Sequence, residues 1–356
     1  MRAVAFAALA LALLAPSSRA APPDELATAS VIFARGSELV RSDARGNQET
    51  VVARLPSKVT VRALRSDAKG SVLLADLGGK WFWMPLGAAG TLTPLACGNG
   101  PAQLAEDGAC VLCRNPKSPA GSIIINLKTK QTTAVAIPTQ GSRLVTAPVR
   151  KLVWADKTAV WSARPDLKQK TRVAPEPPLR SFIASPDGSR AFGVYSDYLY
   201  EGAKKKVPTE LLMGFALDGT AARRKAFQHG VPIEWSHDGQ YVLVQDGSAA
   251  CLMRATGGQY KCWKGFTAVS LAPDGAFALV LGNRDGSKQK SEEESKANED
   301  TEDAVDDSSS TAADVAVPLP TGELALYVAR LGGPHSLAPK LVTKIVDGAA
   351  LWLPQP

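Results

Sequence analysis

The side chains with the widest chemical range in this 356-residue chain are five cysteines and three histidines, and spacing decides what each could do. Cys110-Val111-Leu112-Cys113 has the spacing of a redox dithiol. That chemistry needs the first thiol at a helix amino terminus, where the thiolate is stabilised. Here the pair sits on a predicted strand, where residues three apart point to opposite faces, so dithiol redox use is not expected. Cys97, shortly before that strand, is expected to bond one of the two, Cys113 in preference to Cys110. Cys251 and Cys262 stand symmetrically about a turn near Thr256 and Gly257, which predicts a disulfide across one hairpin. A strict two-residue turn would put them at a hydrogen-bonded pair, an awkward geometry for sulfur, so a longer or bulged turn is expected. Cys110 is then the unpaired thiol of an odd set.

Motifs for other chemistry are missing. The chain has no Gly-x-Ser-x-Gly elbow and no His-Glu-x-x-His, and Gly78-Gly79-Lys80 has Leu74 where a phosphate loop needs glycine. His229, His237 and His335 all fall near turns or strand ends, and read as solvated or hydrogen-bonding turn residues rather than bases. No cofactor and no metal ion is expected. Trp81 and Trp83 flank Phe82 on one strand and share a face, and Trp154, Trp161, Trp235 and Trp263 recur later. Such residues could build a carbohydrate or peptide platform, but packing between blades is the commoner use of large aromatics. A site built from Asp, Glu, Arg and Tyr alone would be invisible to spacing, because convergence on an axis is not written locally.

The elements that must position these residues are short strands. Phe182-Ile183-Ala184-Ser185-Pro186-Asp187-Gly188 is echoed by Ile233-Glu234-Trp235-Ser236-His237-Asp238-Gly239 and by Val269-Ser270-Leu271-Ala272-Pro273-Asp274-Gly275. Proline presets φ, aspartate accepts hydrogen bonds from the local backbone, and glycine takes the left-handed conformation, so each closes a hairpin without strain. Gln103-Leu104-Ala105-Glu106-Asp107-Gly108 is a weaker copy, and Arg65-Ser66-Asp67-Ala68-Lys69-Gly70 a degenerate one. The gap between Asp107 and Asp187 leaves one decayed unit, filled by Thr146-Ala147-Pro148 with Leu152-Val153-Trp154. A period of about 40 to 50 residues with four short strands per unit predicts propeller blades. At the start, Ser30 to Ala34, Glu38 to Ser42 and Thr50 to Leu55 supply three strands. At the end, Leu351-Trp352-Leu353 is an orphan that reads as the first strand of a repeat. The fold expected is an all-β, seven-bladed propeller over residues 28–354, closed by pairing the last strand with the first blade; six or eight blades are less favoured.

At the Ser-Pro-Asp-Gly turns the sequence resembles the TolB-type, WD-repeat-like propeller repeats of bacterial exported proteins. The resemblance is clear over 179–283, fair over 57–138 and poor over 139–178. It implies an exported location and binding of a protein or ligand. A propeller frame alone serves binding proteins and enzymes alike.

Arg2, the apolar stretch Ala3 to Ala15 and the small residues before Ala20 read as a signal peptide over 1–20, followed by a linker over 21–27. No later segment has the apolar length of a membrane helix, so no membrane insertion is expected, and the location is periplasmic or secreted. The segment 284–319, with Glu292-Glu293-Glu294 and Asp306-Asp307, has the polar, aromatic-free composition of a disordered acidic insertion within blade seven. Residues 288–314 carry a net charge of −7, while the whole chain is +7, so the rest is strongly basic. Lys204, Lys205 and Lys206 occupy the equivalent loop of blade five, on the same rim as the insertion, and are the candidate binding residues. The acidic loop is either a tether competing with an anionic ligand for that cluster or a solubilising insertion. Together these features predict a monomeric, non-catalytic exported propeller that binds an envelope protein or anionic polymer, not nucleic acid, through one ring face. The alternative is a hydrolase or lyase with a carboxylate-based site on the axis.

Overall fold

Five of the repeats share one turn, and that turn organises the chain. In the computed structural model, Gly70, Gly108, Gly188, Gly239 and Gly275 have φ between +64° and +70°. Each donates its N–H to the carbonyl three residues earlier, on Asp67, Ala105, Ser185, Ser236 and Ala272, at 2.8–3.0 Å. Asp107, Asp187, Asp238 and Asp274 accept the N–H two residues on, at 2.9–3.0 Å. In the degenerate copy the buried Asp67 takes over, accepting from the N–H groups of Ser71 and Val72 at 2.7 Å. The structure describes Leu26 and residues 29–354, apart from 57–58, 88–89, 140, 147, 157–158, 175–178, 202–204, 219–223, 228, 257–259, 284–322, 331–338 and 345.

The 28 described strands form seven four-stranded antiparallel sheets, the blades of a seven-bladed β-propeller. The first strands of blades 2 to 7 are Val61–Ser66, Ala102–Leu104, Arg143–Val145, Leu179–Ala184, Val231–Trp235 and Thr267–Leu271. Blade 1 takes its first strand from the far end of the chain: Ala350–Leu353 pairs with Ser30–Arg35, in the register Phe33↔Ala350 to Ser30↔Leu353. First strands lie against one another around the axis at the junctions of blades 1 and 2, 2 and 3, 5 and 6, 6 and 7, and 7 and 1. Blade 4 lacks the glycine turn, yet Arg143–Val145 and Lys151–Ala155 still pair as its first two strands.

Alternation along each strand sends apolar side chains to both faces, so every blade buries one face against the blade before and one against the blade after. The result is seven apolar clusters, one per blade junction. Val31, Phe33 and Trp352 pack with Phe277 and Leu279 between blades 7 and 1, where Phe277 stacks on Trp352 at 5.7 Å. Ile32 and Leu351 pack with Leu64 and Leu73 between blades 1 and 2. The closing strand is therefore inserted into two cores at once.

The disulfides brace individual blades. Cys97–Cys113 ties the approach to blade 3 to its second strand, and Cys251–Cys262 joins directly opposite residues of blade 6. Their Cα separation of 4.1 Å is that of a non-hydrogen-bonded pair, and the last register pair, Met253↔Tyr260, leaves a turn longer than two residues. Cys110 is a buried free thiol that packs between blades 3 and 4, while Cys113 lies in the junction of blades 2 and 3.

Blade 5 is longer than its neighbours. Its second strand runs from Arg190 to Glu201, paired throughout with Lys205–Ala216. The first strand pairs only as far as Leu179↔Tyr195. The hairpin thus outruns its blade as a two-stranded ribbon, on the rim opposite the glycine turns. The signal peptide expected over 1–20 and the acidic insertion expected over 284–319 lie outside the described residues.

Candidate functional site

The first strand of each blade has one edge without a strand partner, and its N–H groups must find acceptors elsewhere. Side chains two residues before the turn supply them. Gln103 Oε1 accepts from Leu144 N–H of blade 4 at 3.2 Å, Glu234 Oε2 from Leu271 N–H of blade 7 at 2.7 Å, and Ser270 Oγ from Trp352 N–H of blade 1 at 3.2 Å. In blade 2 this position is Arg65. A guanidinium has five donors and no acceptor, so Arg65 cannot do what its counterparts do.

The first turn position repeats the pattern of rule and departure. Blades 5 and 7 have Pro186 and Pro273 there; blades 3 and 6 have Glu106 and His237. These two side chains meet across the ring, with His237 Nδ1 2.8 Å from Glu106 Oε2. The other carboxylate oxygen, Oε1, accepts from Arg143 Nη2, and Arg143 Nη1 donates to the Ala184 carbonyl of blade 5 at 3.1 Å. Glu106 thus joins blades 3, 4 and 6, with side-chain exposures of 17% for itself, 15% for Arg143 and 21% for His237.

Burial alone would raise the Glu106 pKa, but the His237 hydrogen bond and the Arg143 charge outweigh it and hold the carboxyl below its ordinary range. Burial works against an imidazolium at His237, yet the Glu106 bond and charge raise its pKa. An ionised carboxylate only accepts, which assigns the proton to Nδ1. Glu234 shifts the other way: burial raises its pKa, against the Leu271 N–H, Arg65, His237 and Ser270. Burial also lowers Arg65, with Arg143 adding to it, while Glu234 and Asp76 attract the charge from a distance.

Arg65, Glu106, Arg143, Glu234 and His237 all line one cavity of about 160 Å³, bounded by blades 2 to 6 at the glycine-turn end of the axis. Phe182, Ile183, Ile233 and Trp235 give it apolar wall. The Nε atoms of Arg65 and Arg143 and the Ser66 hydroxyl are buried with no hydrogen-bond partner. Buried donors are paired in nearly all native structures, with protein or with ordered water, so these three groups call for a water or a ligand at the cavity. Among the described residues no three His, Cys, Asp or Glu side chains come close enough to hold a metal ion.

The residues singled out in the sequence lie elsewhere. Lys204 is outside the described residues; Lys205 and Lys206 begin the third strand of blade 5, opposite Glu201 and Tyr200, on the far rim. Trp81, Trp154, Trp235 and Trp263 are buried in blade junctions, and the half-buried Trp83 and Trp161 are capped by Lys130 and Lys170 at 3.9 and 3.6 Å. His237 does hydrogen-bond at its turn, but across the ring. Sequence reasoning missed Arg65, Glu106, Arg143 and Glu234. A signal existed for the first two: Glu106 stands where two repeats have proline, and Arg65 where others have an acceptor.

No protein-family description matches the chain, and no curated protein matches it. Among solved structures it is similar to a functionally unknown protein from Desulfotomaculum acetoxidans, with a TM-score of 0.51 and 10% identity over 92% of this chain and 100% of that one. It is also similar to TolB from Acinetobacter baumannii, with a TM-score of 0.42 and 10% identity over 92% of this chain and 67% of that one. An oligogalacturonate lyase in complex with manganese aligns with a TM-score of 0.47 and 15% identity, over 86% and 83% of the two chains. The likeness is one of fold, and these neighbours include both a TolB protein and an enzyme.

Proposed function

We propose that this chain is an exported, non-catalytic propeller that binds an envelope protein or anionic polymer, and that the contact is made by the axial cavity at the glycine-turn rim. The observation that carries this reading is Arg65, a half-buried arginine at a position where three other blades have hydrogen-bond acceptors, with a buried Nε that has no partner among the described residues. The apolar leader and the two disulfides support export, because disulfides persist in oxidising compartments. The test is direct binding of the processed protein to a polyuronate, a polyphosphate and neutral dextran at low and moderate salt. The expected result is polyanion binding that weakens at least tenfold in Arg65→Met, with no dextran binding. Equal binding by wild type and Arg65→Met would remove the axial site from this reading.

One observation favours a second reading, a hydrolase or lyase. Glu106 is held ionised and Glu234 is pushed toward its neutral form within the same cavity, the division of roles that acid–base pairs use. New reducing ends or unsaturated products from a bound polyanion, lost in Glu234→Gln, would select it.

A further inference from the structure

Resting on the reading that the axial cavity receives an anion, we infer that the group it takes is a single carboxylate of an organic acid, held on the guanidinium of Arg65 beside Glu234. The other charged members of the cavity already have hydrogen-bonded partners. Arg143 spends its two terminal nitrogens on Glu106 and the Ala184 carbonyl, His237 spends Nδ1 on Glu106, and Glu234 spends Oε2 on the Leu271 N–H. Among the described residues the Arg65 Nε has no hydrogen-bond partner, and Glu234 and Asp76 attract its charge from a distance. A planar guanidinium presents paired donors that match the two oxygens of a carboxylate.

Arg143 and His237 are both paired with Glu106, so Arg65 is the cation of the cavity at which an anion would gain a new charge-assisted hydrogen bond.

Shape and polarity argue for an organic acid over an inorganic ion. The apolar wall of Phe182, Ile183, Ile233 and Trp235 faces the same space as the guanidinium and would gain contact only from carbon. The volume, about 160 Å³, is close to the roughly 150 Å³ of a cavity that accepts benzene. It therefore admits a small acid, or the acidic end or side group of something larger. Glu234 acts against the ligand while ionised, so the neutral amide at this position should favour binding and still accept the Leu271 N–H.

Isothermal titration of the processed full chain at pH 7 with acetate, glucuronate, inorganic phosphate and sulfate tests the inference. The expected result is binding of both monocarboxylates, at least tenfold tighter than phosphate or sulfate. Affinity should fall at least tenfold in Arg65→Met and in Arg65→Lys, and rise severalfold in Glu234→Gln. The lysine variant keeps the charge, so its loss isolates the fork geometry, and circular dichroism confirms that each variant is folded. Phosphate or sulfate binding as tight as glucuronate overturns the carboxylate assignment and leaves the anion reading standing. So does Arg65-dependent polyanion binding with no acetate or glucuronate binding. Glucuronate binding unchanged in both Arg65 variants overturns the placement on Arg65, and failure of every small anion and every polyanion overturns both readings.

Discussion

Two pairs of turns in this ring have one backbone and different employment. Blades 5 and 7 close with Ser185-Pro186-Asp187-Gly188 and Ala272-Pro273-Asp274-Gly275; blades 3 and 6 close with Ala105-Glu106-Asp107-Gly108 and Ser236-His237-Asp238-Gly239. All four keep the glycine at positive φ and the aspartate that accepts the N–H two residues on. The first turn position takes part in neither interaction. Proline there only presets the backbone, so exchanging it leaves the turn intact and frees a side chain at the rim of the axis. Glu106 and His237 occupy that freedom and meet each other. The comparison teaches that a fold-defining repeat can carry a site on the one position its geometry does not need.

The largest effect should come from breaking a turn of the first kind at its glycine. Gly275→Ala would put a Cβ into the Tyr241 ring at a backbone φ of +70°. It should cost roughly 3 kcal/mol, from the left-handed backbone and the overlap together. Urea unfolding would read the loss, and an intact midpoint would show that Tyr241 can move aside.

Arg143→Met should cost about 2 kcal/mol, somewhat under the usual penalty for breaking a buried pair because His237 still faces Glu106. A change below about half that, by the same unfolding assay, would mean that the Arg143–Glu106 contact is not a significant support of the ring.

His237→Pro converts one kind of turn into the other. The His237 N–H makes none of the turn or cross-ring bonds, so proline fits, and the net cost should be only about 1 kcal/mol, the lost bond to a charged group less the proline gain. Its signature should be pH dependence rather than size. The raised pKa of His237 means that its contribution is complete below the ordinary value of 6.5 and is lost as pH rises through the higher folded value. The depressed pKa of Glu106 means that its contribution is complete above 4.5 and is lost as pH falls through the lower folded value. The pair therefore stabilises most between about pH 4.5 and 6.5. Thermal melts across pH 4 to 9 should show that advantage in wild type and lose it in His237→Pro; parallel curves would refute the assignment.

Much of the frame was legible because its causes are local. The Asp-Gly turns, the orphan strand around Trp352 and the opposed faces of Cys110 and Cys113 follow from turn chemistry and strand alternation. The ribbon of blade 5 was not legible, since nothing between Tyr195 and Lys205 announces where a hairpin outruns its sheet. Nor was the cavity: the acidic loop and the lysine cluster drew attention to the opposite rim because charge runs are visible in one dimension.

By itself, the amino-acid sequence determined seven units, their turns and their closure, because each depends on residues within a few positions or on an end that lacks a partner. Only the tertiary structure decided that Arg65, Glu106, Arg143, Glu234 and His237 share one space. They lie on four different blades, and what brings them together is the ring's geometry, in which every first strand approaches the same axis whatever its distance along the chain.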